Sequence, residues 1–126
     1  MTEAARPLVL VADDDPDILQ LVSLRLERSG YEVMAAQDGE QALTAALERT
    51  PDLALLDVMM PKLDGYEVTA RLRSNERTRH MPVILLTARV QEADVARGIE
   101  AGADDYVKKP FSTHELRDRV QAALGR

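Results

Sequence analysis

Short apolar runs alternate along this chain with segments whose apolar residues return every three or four positions. Leu8-Val9-Leu10-Val11-Ala12 is an unbroken apolar run, the pattern of a strand covered on both faces. Ile18, Leu19, Val22 and Leu26 then share one helical face, and Gly30 is placed to stop that helix. Tyr31 to Ala35 predicts a second, weaker strand, and Ala42, Leu43, Ala46 and Leu47 a second helical stripe that ends before Pro51. Leu53-Ala54-Leu55-Leu56 predicts a third strand running into Asp57. Asp64 and Glu67 are spaced as an N-cap and its N3 partner, opening a third helix to about Ser74. Val83 to Leu86 predicts a fourth strand ending at Thr87, followed by a helix over roughly Glu92 to Ala101 with Gly102 as its stop. Tyr106-Val107 marks a short fifth strand. Ser112 and Glu115 form a second capping-box pattern, with Leu116, Val120 and Leu124 lining the last helix. Five strands alternating with five helices predict an α/β fold, a single doubly wound five-stranded parallel sheet with helices on both faces.

In such sheets ligands sit beyond the C-terminal ends of the strands, which selects a small set of residues. The first strand ends in Asp13-Asp14-Asp15, the third in Asp57, the fourth in Thr87, and the fifth is followed by Lys108-Lys109-Pro110. Taken singly, each has an ordinary explanation: a helix cap or turn for the aspartates, a cap for Thr87, a solvated charge for Lys109. Their recurrence at successive strand ends is what points to chemistry. Converging carboxylates are unfavourable unless a cation neutralises them, and oxygen-only ligands select a hard ion. Mg²⁺ is the expected cofactor, with Mn²⁺ as a substitute. A phosphoryl group adds about −1.5 to −2 charge, which a metal and Lys109 would balance. The Thr87 hydroxyl can donate to a phosphoryl oxygen. A nucleophilic carboxylate, a metal and two donors make a phosphoryl-transfer site.

Composition narrows the classes further. A formal net charge of −6 argues against direct nucleic-acid binding by this domain, and 3% aromatic residues leave no base-stacking surface. The absence of cysteine excludes a disulfide framework or thiolate metal site and fits a reducing, cytoplasmic location. Met1 to Arg6 carry no long apolar run, so neither a signal peptide nor a membrane span is expected. His80 and His114 share no ligand spacing and are expected to be exposed, while Met59 and Met60 are expected to serve as packing side chains.

From Val9 to Leu124 the chain resembles the receiver domains of two-component response regulators. The motifs that carry the resemblance are Val9 to Asp15, Leu55-Leu56-Asp57-Val58-Met59-Met60-Pro61 with Asp64-Gly65, Leu86-Thr87-Ala88, Gly102-Ala103-Asp104-Asp105-Tyr106, and Lys109-Pro110-Phe111. The resemblance implies a flavodoxin-like (βα)5 receiver domain over residues 1–126, with Asp57 as phosphoacceptor. It implies that Asp13, Asp14, Asp57 and the Met59 backbone carbonyl hold Mg²⁺, and that Thr87 and Lys109 contact the phosphoryl group. It further implies a cis Lys109–Pro110 bond that aims the lysine inward, and a switch in which Tyr106 turns inward as Thr87 moves. The implied role is a phosphorylation-dependent switch, not an enzyme, that promotes only its own phosphorylation and dephosphorylation. Its implied partners are a sensor histidine kinase or phosphotransfer protein, and an output domain or effector that responds to the face made by helix four, strand five and helix five.

Met59 and Arg89 resemble the DNA-binding winged-helix class, whose active dimers pair through that same face. Glu115, Asp105 and Arg119 match it; Val95 and Arg117 depart from it, standing where a basic and an apolar residue are expected. Met59 and Arg89 are also expected to tune the lifetime of the phosphorylated state, by covering the in-line approach of water. The alternative is a small haloacid-dehalogenase-like phosphatase, similar at Val11 to Asp15, with Asp13 as nucleophile and Asp15 as general acid. That alternative leaves Asp57 without a role and the chain without room for a cap domain. An unphosphorylated module and a flavin binder share the fold, but the first would lack one of the key residues and the second needs a Ser/Thr/Gly-rich phosphate loop after strand one.

Overall fold

A computed structural model describes residues 6–88 and 91–125. Its elements are β1 (Leu8–Ala12), α1 (Pro16–Arg28), β2 (Glu32–Ala36), α2 (Gly39–Arg49), β3 (Leu53–Asp57), α3 (Gly65–Arg73), β4 (Val83–Thr87), α4 (Glu92–Ala101), β5 (Asp105–Lys108) and α5 (Thr113–Ala123). All five strands are parallel and lie in the order β2-β1-β3-β4-β5. Every expected element is present, with β2 displaced by one residue and β5 longer by one at each end.

Burial explains why some strands were easier to read. β3 and β4 are buried at every position, because helices cover both faces, and so they read as continuous apolar runs. β2 and β5 are the edges, and their mixed burial matches their weaker patterns. Alternate strand residues feed two apolar layers. Val9, Val11, Leu55, Ile84 and Leu86 pack with Val22 and Leu26 of α1 and Leu116 and Val120 of α5. Leu10, Ala12, Leu56 and Leu85 face the other way, with Ala42 and Ala46 of α2 and Val68 and Leu72 of α3.

The helix ends follow from local chemistry. Asp15 caps α1 by accepting from Asp17 N and Ile18 N, with Pro16 in the first turn where a missing N–H costs nothing. Asp64 and Glu67 form the reciprocal capping box of α3, at 2.8 and 3.1 Å. At α5 only half of the expected box forms: Ser112 Oγ accepts from Glu115 N, and Glu115 returns no bond among the described residues. Gly102 ends α4 at φ +105°, a left-handed conformation that side chains rarely adopt.

Candidate functional site

The C-terminal ends of β1, β3 and β4 deliver Asp13, Asp57 and Thr87 to one edge of the sheet. All three are buried, at 1%, 5% and 3% exposure. Asp13 is held as a continuation of β1: its N–H donates to the Ala36 carbonyl, and its Oδ1 accepts from Asp15 N at 2.9 Å. Asp57 closes β3, and the chain then turns tightly into α3. Gly65 makes that turn feasible, since a Cβ there would lie 2.7 Å from the Asp57 carbonyl oxygen.

Lys109 arrives from the loop after β5. Its backbone N–H donates to the Thr87 carbonyl at 2.7 Å, which anchors the loop to the end of β4. The following Lys109–Pro110 bond is cis, as the resemblance implied. The ammonium donates to Asp13 Oδ2 at 2.7 Å and to Asp57 Oδ1 at 3.2 Å. One cation thus bridges two buried carboxylates that come from strands far apart in sequence. Asp14, beside them, is exposed. Each of Asp13, Asp14 and Asp57 offers a carboxylate oxygen within 4.8 Å of the others.

The charge balance of this cluster is unfinished. Burial and the neighbouring Asp13 push the Asp57 carboxyl up to about 6, against the opposing pull of Lys109. Burial pulls Lys109 down, but its bonds to Asp13 and Asp57 outweigh that and raise it. One ammonium against three carboxylates leaves surplus negative charge in a recess of oxygen donors. That donor set fits a hard divalent cation, which would be held by Asp13, Asp14 and Asp57.

The three adjacent aspartates divide their work in a way the sequence did not specify. Asp13 and Asp14 face the site, whereas Asp15 spends its side chain capping α1. This placement removes Asp15 from the general-acid role that the phosphatase alternative required. Met59 corrects an expectation: its side chain is 67% exposed, so it does not serve as packing, while Met60 is buried. The reason is that the chain leaves the sheet after Asp57, and Met59 falls on the outer side of that turn. Arg89 lies outside the described residues. His80 and His114 are exposed, as expected.

Tyr106 lies inward, partly buried, with its ring against Gly98 of α4 and its hydroxyl donating to the Asp94 carbonyl at 2.8 Å. The hydroxyl of Tyr66, at the start of α3, also reaches it. Tyr66 and Arg97, whose guanidinium stacks 4.5 Å over the Tyr66 ring, were missed by sequence reasoning. With only three tyrosines and one phenylalanine in the chain, a tyrosine directly after Asp64-Gly65 was the available signal.

Comparison with known proteins agrees with this geometry. Residues 9–121 match the family model described as the response regulator receiver domain. The chain is 50% identical over 118 residues to the alkaline phosphatase synthesis transcriptional regulatory protein PhoP of Bacillus subtilis, covering 94% of this chain and 48% of that protein. It is 48% identical over 120 residues to the DNA-binding dual master transcriptional regulator RpaA of Synechocystis, covering 95% and 50%. The chain therefore spans about half the length of these curated relatives. Among solved structures it is similar to the receiver domain of a sensor histidine kinase from Pseudomonas aeruginosa, which carries a magnesium ion in its active-site cleft. That likeness has a TM-score of 0.90 at 34% identity, covering 97% of this chain and all of that one. The chain belongs to the receiver domains of two-component response regulators, the modules of phosphorylation-dependent signalling.

Proposed function

We propose that Asp57 is the phosphoacceptor of this receiver, taking a phosphoryl group from the phosphohistidine of a sensor kinase or phosphotransfer protein. The observation that carries this reading is the Lys109 ammonium set between the buried carboxylates of Asp13 and Asp57. An Asp57 oxygen attacks phosphorus, the phosphorus–nitrogen bond breaks, and the electron pair leaves with the imidazole. Asp13, Asp14 and Asp57 would hold Mg²⁺, with the Met59 carbonyl as a further ligand, and the bound ion would supply charge neutralisation for the phosphoryl oxygens. Lys109 exchanges its contact with Asp57 for the phosphoryl group, and Thr87 supplies a hydroxyl donor from β4. The shift of Thr87 favours the inward Tyr106, which alters the face made by α4, β5 and α5. In this scheme Met59 and Arg89 set how readily water reaches the phosphorus in line.

The domain acts as a cytoplasmic signalling switch over residues 1–126 and not as a turnover enzyme. Among the described residues no helix is long and apolar enough to cross a membrane. An apolar groove formed by Ile18, Leu21, Val22, Ala88, Pro110 and Phe111 adjoins Lys109 and supports docking of the phosphodonor protein there. The lengths of the relatives support an output domain beyond this chain. Asp105 and Arg119 pair within the chain at 2.7 Å on the face that a phosphorylated homodimer would use. Incubation with Mg²⁺ and acetyl phosphate should add one phosphoryl group by intact mass, and Asp57→Asn should abolish it. Undiminished labelling of that variant would overturn the assignment.

A further inference from the structure

Tyr66 opens α3 directly after Gly65 and is buried, at 6% exposure. Its hydroxyl lies 2.5 Å from that of Tyr106 on β5, which in turn lies 2.8 Å from the Asp94 carbonyl on α4. Counting protons orders this chain of contacts. Each phenol brings one proton, and the carbonyl can only accept. Tyr106 has the short path to Asp94, while Tyr66 is 3.4 Å from that carbonyl. Tyr66 therefore donates to Tyr106, and Tyr106 donates to Asp94.

The surroundings restrict both rings. Gly98 leaves the space in which the Tyr106 ring sits, and a methyl group there would collide with it. Arg97 stacks over the Tyr66 ring and reaches Asp64, the N-cap of α3, at 3.7 Å. Burial and the Arg97 stack thus favour the present place of the Tyr66 ring. Burial also holds the Tyr106 phenol above the ordinary tyrosine range.

We propose that Tyr66 is a positioning residue of the switch, whose hydroxyl donates to Tyr106 and holds that ring in its inward place against Gly98. An outward Tyr106 leaves the Tyr66 proton with only the longer path to Asp94. The loss is about that of one net hydrogen bond, ~2–10-fold in the ratio of inward to outward ring. The hydroxyl contact stands on its own geometry; its consequence for the phosphoryl site rests on the reading of Tyr106 as the switch. By linkage, removing the latch should weaken a phosphoryl mimic that favours the inward state by up to the same factor.

The test uses the unphosphorylated chain labelled with ¹³Cζ-tyrosine, followed by NMR. Tyr66→Phe keeps the ring beneath Arg97 and removes only the hydroxyl. It should move the Tyr106 signal toward the position seen in Gly98→Ala, which displaces the ring. The affinity for beryllofluoride with Mg²⁺ should fall ~2–10-fold. Tyr66→Phe should have no further effect on that affinity once Tyr106→Phe is present. An unmoved Tyr106 signal in Tyr66→Phe would overturn the latch. If the signal moves while beryllofluoride affinity is constant in every variant, the latch stands and Tyr106 is not the switch.

Discussion

Asp57 sits between opposing neighbours. Burial and Asp13 disfavour its ionised form, Lys109 favours it, and the balance leaves it near 6. A metal ligand of this kind must be deprotonated, so in the metal-free protein a proton competes with the cation. Because the value is raised, the competition falls in an experimentally convenient window. Above pH 6 the Mg²⁺ affinity should level off with respect to this group; below it, affinity should drop on the order of tenfold per pH unit, one proton being displaced. Calorimetric titration from pH 5 to 8 checks this, and an affinity flat across that range would show that no raised Asp57 carboxyl competes with the cation. Lys109 has a second effect at this scale. Its replacement removes the one group that lowers Asp57 by hydrogen bonding as well as by charge.

Among the elements, the end of the sheet opposite the site depends on one arginine. Arg73, in the last turn of α3, donates from Nε to the Gly102 carbonyl at 3.0 Å. Its two terminal nitrogens reach the Met81 carbonyl at 2.6 Å and Asp104 Oδ2 at 2.9 Å. It therefore ties α3 to the entrance of β4 and to the loop before β5. Asp104 extends the tie by accepting from Val83 N. Arg49 and Glu32 make an ion pair of similar length, 3.0 Å, but both side chains are 54% exposed. Solvent exposure decides between them. Arg49→Ala should change stability by less than about 1 kcal/mol. Arg73→Ala leaves two backbone carbonyls without that donor and should cost about 2–4 kcal/mol, read by denaturant unfolding. Arg73→Lys should recover little, since a single ammonium cannot span three divergent acceptors. Equal costs for Arg49→Ala and Arg73→Ala would refute the distinction.

At the scale of the whole molecule, the order β2-β1-β3-β4-β5 places β1 beside β3, where the chain reverses its direction of winding. Crevices open beyond the strand ends at such a point, because the connections on either side run to opposite faces. The acidic cluster occupies that crevice without taking part in either apolar layer, so metal binding and folding are separable. Asp14 provides the means to separate them. It is exposed, and Asp14→Ala should leave metal-free stability within about 0.5 kcal/mol. In the unsubstituted chain, Mg²⁺ at a hundredfold excess over its Kd should add about 2.7 kcal/mol. Thermal melts with and without Mg²⁺ should show that increment in the parent chain and lose most of it in Asp14→Ala. A variant stabilised as much as the parent would exclude Asp14 as a ligand.

The sequence by itself determined the ten elements, the N-caps of α3 and α5 and the strand ends at which Asp13, Asp57, Thr87 and Lys109 sit. Those features depend on residues a few positions apart, where periodicity and capping chemistry act. Tertiary structure alone decided that Asp13 meets Lys109, that Met59 is exposed, and that Tyr66 meets Tyr106. Lys109 and Asp13 are 96 residues apart, and the two tyrosines 40. Contacts at such separations are set by strand order and by the space neighbouring side chains leave, as Gly98 leaves it for Tyr106. Hydrophobic periodicity specifies which face of an element is buried, but not which distant side chain it will meet there.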